Sequence, residues 1–184
     1  MSARVLASVR GRRTLAALYV AALGAGSAWL ALRIARENRY HRYDALIVAA
    51  ASETGLDPSL LWRLVRRESG FRAGAVGPSG EIGLTQITES AARDWAAAHR
   101  RPPPTREEMF DPELNLRIGA WYLARAVACW RERDRPEVFA LAEYNAGRAN
   151  AMRWAENAPD AEAFLRAITY PGTRRYVLDI LSGL

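Results

Sequence analysis

Apolar positions fall into two regimes along the chain. Residues 14–32, TLAALYVAALGAGSAWLAL, run for 19 positions without a charge, about the length of a helix crossing a bilayer core. From Asp44 onward apolar residues instead recur every three or four positions, the spacing of amphipathic helices. The first such segment covers 44–54 and stops at Gly55. Asp57-Pro58 then supplies an N-cap with proline at the first helical position, opening a helix that runs to about Ser69. Residues 70–87 hold five glycines and Pro78, the composition of a loop or short hairpin. Helical patterning resumes over 89–99. After Pro102-Pro103-Pro104, Thr105 and Glu108 have capping-box spacing. Asp111-Pro112 opens a helix reaching about Glu132, and further helices are expected near 136–144, 148–156, 160–167 and 173–182. No two-residue alternation appears, so the expected fold class is mainly α.

Charge sharpens this division. Residues 1–43 carry eight arginines and one glutamate, a local +7, while 44–184 carry 18 arginines against 19 acids, a local −1. The overall +6 therefore belongs to the N-terminal segment, and the later domain lacks the basic excess that nucleic-acid binding requires. Arginines flank the apolar run on both sides, at 4, 10, 12 and 13 and at 33, 36, 39 and 42. The expected organisation is a basic cytoplasmic N-terminus (1–13), a transmembrane signal-anchor (14–32), a connector (33–43) and one domain (44–184). With the N-terminus inside, the domain faces the periplasm from the inner membrane. The alternative is a signal peptide cleaved near Gly24-Ala25-Gly26-Ser27-Ala28, with secretion of the remainder.

The chain has no lysine, one cysteine and two histidines, which excludes Schiff-base and P-loop lysine chemistry. Cys129, His41 and His99 do not make metal-ligand spacing, so neither metal nor cofactor is expected. Cys129, in a helical pattern, reads as a small buried thiol.

Glu68 stands out. It lies seven residues after Leu61, four after Leu64 and three after Val65, on the apolar stripe of its helix, while Arg63, Arg66 and Arg67 take other faces. Burial and the negative end of the helix dipole both disfavour its ionised form. A carboxyl kept protonated near neutral pH is what general-acid catalysis needs. On this helix alone the alternative is a buried glutamate paired with an arginine. The loop that follows permits close backbone approach at Gly74, Gly77, Gly80 and Gly83, and Gln86 offers both donor and acceptor to a sugar. Tyr144 and Asn145, at a helix end before Gly147, could place a phenol and an amide beside an acetamido group, or could be a core tyrosine and an ordinary cap.

Taken in order, five segments resemble the SLT-type lytic transglycosylase domain of the goose-type lysozyme-like superfamily. They are Glu68-Ser69-Gly70-Phe71; Gly80-Glu81-Ile82-Gly83-Leu84-Thr85-Gln86; Asn115 to Leu123, with Gly119 and Tyr122 in register; Tyr144-Asn145-Ala146-Gly147; and Thr173-Arg174-Arg175-Tyr176-Val177. The resemblance covers about 44–181. It implies a lysozyme-like fold, cleavage of peptidoglycan between N-acetylmuramic acid and N-acetylglucosamine with formation of 1,6-anhydro ends, and Glu68 as acid and then base. Ser69, Thr85, Gln86, Tyr144 and Asn145 become candidate substrate-binding residues, and cell-envelope proteins become possible partners. The chain departs from the family pattern at Thr85 (usually methionine), Gly77 (often serine), Gly172 (often glutamate) and Arg72-Ala73 (often Asn-Pro); the first three of these concern the sugar groove. Two other readings follow: a muramidase-type hydrolase using Glu81 or Glu143 as a second carboxylate, and a non-catalytic peptidoglycan-binding module.

Overall fold

The computed structural model describes residues 3–183, with side chains from residue 21 onward. The chain divides into two compact units, Met1–Arg42 and Tyr43–Leu184. In the first, α1 (Ala3–His41) is one continuous helix, so residues 33–41, read as a connector, are helical. Residues 1 and 2 of the expected cytoplasmic N-terminus lie outside the described residues. The side chains of its remainder, and those of residues 14–20 of the expected span, lie outside them as well. Among the described residues no helix is long and apolar enough to cross a membrane.

The second unit contains eight helices among the described residues: α2 (Asp44–Thr54), α3 (Pro58–Ser69), α4 (Glu89–Ala98), α5 (Pro112–Cys129), α6 (Pro136–Ala146), α7 (Arg148–Ala155), α8 (Ala161–Ala167) and α9 (Pro171–Ser182). Their boundaries follow local chemistry. Asp57 caps α3 by accepting from the Ser59 N–H at 2.9 Å, and Thr88 and Asp111 cap α4 and α5 in the same way. Thr105 and Glu108 form the reciprocal capping box, at 2.7 and 3.2 Å, before a single 3₁₀ turn, Glu108–Phe110. Gly70 ends α3 in the left-handed conformation, φ 56°.

α5 packs against α2, α4 and α6, and α6 also packs against α7, α8 and α9. Six consecutive residues of α6, Val138 to Glu143, are buried. A helix enclosed on all sides loses the amphipathic stripe of a surface helix, and it forms the centre of this unit. Phe139 stacks on Phe164 of α8 at 4.1 Å and on Trp130 at 5.2 Å. Cys129 is exposed at the end of α5, correcting the buried-thiol expectation. The helix ends three residues earlier than its periodicity predicted, so position 129 lies at its last residue rather than in the core. The segment between α3 and α4 has no strand among the described residues, but isolated bridges join Val76 to Ile82 and Ile82 to Ile87.

Candidate active site

Leu60, Leu61, Leu64 and Val65 of α3 are buried, and Glu68 continues their stripe into a half-buried position. Oε1 of Glu68 accepts a hydrogen bond from the Tyr176 hydroxyl of α9 at 2.5 Å. Oε2 has no donor among the described residues. Loss of hydration on burial pushes the Glu68 carboxyl up from 4.5 to about 7. The Tyr176 hydrogen bond and the Arg67 charge oppose that rise, and the Glu81 charge adds to it. Arg67 is itself held by Asp179 at 3.4 Å, with its guanidinium 5.2 Å from the Tyr176 ring centre.

Two phenols flank the carboxyl. Burial, reinforced by the nearby Glu68 charge, holds Tyr176 and Tyr144 well above the usual phenol range, so both remain neutral donors. The Tyr144 hydroxyl donates to the Thr85 carbonyl at 2.8 Å, fastening α6 to the loop after α3. Asn145 is exposed; its Oδ1 accepts from the Thr173 hydroxyl at 2.7 Å, joining the end of α6 to the first turn of α9.

The remaining expected substrate contacts have other partners. Ser69 is enclosed, and its hydroxyl donates to the Leu84 carbonyl at 2.8 Å, tying the end of α3 to the loop. Thr85 is fully buried, with its hydroxyl 2.8 Å from Asn115 Oδ1. Gln86 is half-buried and uses its amide N–H groups on the Gly83 and Ala75 carbonyls, at 3.0 and 3.4 Å. These three residues therefore shape the loop from within; Tyr144 is half-buried against the same loop, and Asn145 is exposed.

Periodicity gave no role to two residues that organise the site. Tyr176 was visible only as part of the closing Thr-Arg-x-Tyr-Val element. Asn115, wholly buried on α5, accepts from the Thr85 N–H at 2.9 Å and donates to the Ile82 and Met109 carbonyls, both at 2.9 Å. Gly83 sits against it with φ 78°, where an added Cβ would come within 2.3 Å of Asn115 Nδ2. Gly77 is similarly enclosed by Glu81 Oε2 and Gln86 Oε1, 2.3 and 2.7 Å from where a Cβ would stand. Phe71 and Gln86, which bracket this loop, both adopt positive φ, 61° and 50°, a costly conformation for non-glycine residues.

Of the two carboxylates considered as partners for Glu68, Glu143 is buried and engaged by Trp130 Nε1 at 2.8 Å and Arg148 at 3.3 Å. Glu81 lies on the loop, where its charge reaches Glu68. Among the described residues no group of three or more His, Cys, Asp or Glu is placed to hold a metal ion.

Residues 45–166 match the profile of the transglycosylase SLT domain. The chain is 29% identical over 170 residues to the soluble lytic murein transglycosylase of Escherichia coli K12, covering 90% of this chain and 25% of that protein. It is 36% identical over 90 residues to the membrane-bound lytic murein transglycosylase C of Photorhabdus laumondii, covering 48% of this chain and 25% of the relative. The crystal structure of an inactive mutant of the lytic transglycosylase Slt from Pseudomonas aeruginosa superposes with a TM-score of 0.71 at 26% identity, over 77% of this chain and 23% of that one. The 70 kDa soluble lytic transglycosylase in complex with bulgecin A gives 0.71 at 28% identity, over 79% and 24%. The chain thus spans about a quarter of the length of these relatives.

Proposed function

Because the chain belongs to the transglycosylase SLT domain family, we propose that it cleaves peptidoglycan glycan strands as a lytic transglycosylase. The observation that carries this reading is Glu68, a carboxyl raised to about 7 with one oxygen that has no donor among the described residues. Such a group is protonated in an appreciable fraction at neutral pH and can also act as a base once it has given up its proton.

Glu68 donates its proton to the oxygen joining C1 of N-acetylmuramic acid to N-acetylglucosamine. The C1–O bond breaks, and the N-acetylglucosamine leaves with a free hydroxyl. The muramic acetamido carbonyl supports the positive charge at C1. Ionised Glu68 then takes the proton from the muramic C6 hydroxyl as O6 bonds to C1, closing the 1,6-anhydro ring. The proton returns to the group that gave it, and no water is consumed. Tyr144 and Asn145 orient the substrate; Ser69, Thr85 and Gln86 hold the loop that shapes the groove. We assign residues 14–32 to an inner-membrane anchor presenting the domain to the periplasm. The long α1 supports this, as do the exposed apolar side chains Leu23, Trp29, Leu30 and Leu32. Retention in the membrane fraction after carbonate extraction, lost on deleting residues 1–43, is the expected result.

Mass spectrometry of muropeptides released from purified peptidoglycan tests the chemistry, with Glu68→Gln as control. Products one water lighter than hydrolytic ones, absent with Glu68→Gln, are expected. Ordinary reducing ends would instead favour a hydrolase, with Glu81 as the second carboxylate because its charge reaches Glu68. Binding without products from either protein would favour a recruitment module.

A further inference from the structure

A series of ring contacts leads from Tyr144 to a concavity that Glu68 does not line. Tyr122 meets Tyr144 edge-on at 5.8 Å, and Trp121 follows at 6.3 Å from Tyr122. His99 lies 6.0 Å from Trp121 and 4.7 Å from Trp95. Trp95, His99 and Trp121 line a cleft of about 470 Å³ between α4, α5 and the end of α2, within the size range of small-ligand sites.

Its charge is one-sided. Arg101, Arg117 and Arg125 line it, with Glu53 the only acid among the lining residues. Arg117 is engaged by Glu53 at 2.8 Å and Glu113 at 3.5 Å. Arg125 has an acid, Asp94, only at 4.0 Å, and Arg101 has no acidic partner among the described residues. Both of these guanidiniums lie over aromatic rings, Arg101 at 5.5 Å from the centre of Trp95 and Arg125 at 5.1 Å from Trp121 and 4.8 Å from Tyr122. Stacking occupies the face of a guanidinium and leaves its N–H edge available. Such an edge takes a carboxylate as a two-pronged fork, while the indoles beside it accept small apolar side chains. The hydroxyls and amides of a glycan call for no cations. The peptide arms carried by its muramic residues, with their carboxylates and alanine methyls, match both halves of the cleft.

The geometry points to this cleft as a receptor for the carboxylate-bearing peptide arm of the substrate, an inference that rests on the peptidoglycan reading above. Strands that keep their peptides bind here in addition to the groove at Glu68; stripped strands bind the groove alone.

The test uses the full chain in detergent, carrying Glu68→Gln so that nothing is cut. Calorimetric titrations compare a peptide-bearing glycan tetrasaccharide with the same tetrasaccharide after an amidase has removed its peptides and the lactyl carboxylates so exposed have been capped as methylamides. The peptide-bearing form is expected to bind about tenfold more tightly, as one forked carboxylate contact would give. Adding Arg101→Gln with Arg125→Gln brings the two affinities to within about twofold, with an unchanged circular dichroism spectrum. If that pair does not fold, Arg101→Lys with Arg125→Lys keeps the charge but not the fork, and is expected to lose most of the preference. A preference that survives either pair in full overturns the assignment. So does tight, equal binding of both strands to the Glu68→Gln protein, which leaves the catalytic reading standing. Failure of both strands to bind overturns the two readings together, whereas hydrolytic products in the separate digestion leave the affinity ratio untouched.

Discussion

Asn115 and Glu68 are both polar side chains drawn inward by apolar helices, and the surrounding protein satisfies one but not the other. Asn115 uses both lone pairs of its oxygen and both amide hydrogens on Thr85, Ile82 and Met109. Glu68 has one donor among the described residues, Tyr176, and burial otherwise strips its ionised form of water. A buried polar group with every bond made is a structural brace. One left short of partners has its protonation equilibrium displaced, and that displacement is what acid–base chemistry uses. The two are coupled through one loop: Asn115 fixes Thr85, Thr85 receives Tyr144, and Ser69 beside Glu68 holds Leu84.

The most severe way to break the comparison is Glu68→Gln. Removing a general acid costs about 10²- to 10⁴-fold in rate, so release of anhydromuropeptides should fall to background while the circular dichroism spectrum is unchanged. The same substitution should alter stability in a pH-dependent way. The folded protein holds the Glu68 proton more tightly than the unfolded chain, because its carboxyl is raised from 4.5 to about 7. That contribution is fully present below about 4.5 and is lost as pH rises through 7, a loss of at most about 3 kcal/mol. Urea melts of the wild type should therefore weaken between pH 4.5 and 8, and those of Glu68→Gln should not share that component. Equal slopes for the two proteins would contradict the raised carboxyl.

Asn115→Ala attacks the satisfied partner. It leaves the Thr85 N–H and the Ile82 and Met109 carbonyls without their side-chain partner in the interior, at a cost of about 3 kcal/mol. A lower urea midpoint at all pH values is expected, in contrast to the pH-dependent signature of Glu68.

A smaller contrast separates two glycines of the same loop. Gly83 has φ 78° and no room for a Cβ beside Asn115; Gly80 has φ 91° and nothing within 4 Å. Gly80→Ala should cost only the backbone penalty of about 1–2 kcal/mol. Gly83→Ala adds a clash with a fully bonded side chain and should be the more destabilising of the pair. Equal melting temperatures would show that Asn115 yields easily and is not a brace.

These residues differ in how far the sequence announced them. Glu68 was legible because helix geometry is local: a charge three, four and seven residues from buried leucines and a valine must share their face. The caps at Asp57, Thr105 and Asp111 were legible for the same reason. Tyr176 was not, because the contact that gives it a role spans 108 residues and depends on how α9 packs. Ser69, Thr85 and Gln86 were recognised as belonging near the site, but a motif does not say whether a side chain faces the groove or the loop's own carbonyls. α6 gave little warning of its central position, since enclosure on every side removes the periodicity that marks a surface helix. Cys129 was misjudged because a helix boundary is the least local feature of a periodic pattern.

Tyr176→Phe makes the mildest change and separates positioning from acidity. The ring keeps its place in the core, so stability should fall by only about 1 kcal/mol. Glu68 loses its one donor. Because that hydrogen bond lowers the carboxyl's pKa, its removal should raise the pKa further. The acid form then persists to higher pH, and the alkaline limb of the pH–rate profile should move upward even as the maximal rate falls a few-fold from looser positioning. A purely structural tyrosine would lower the rate equally at every pH. A limb that stays in place, or moves toward acid, would show that the hydroxyl does not tune Glu68, and the contrast with the fully satisfied Asn115 would then rest on desolvation alone.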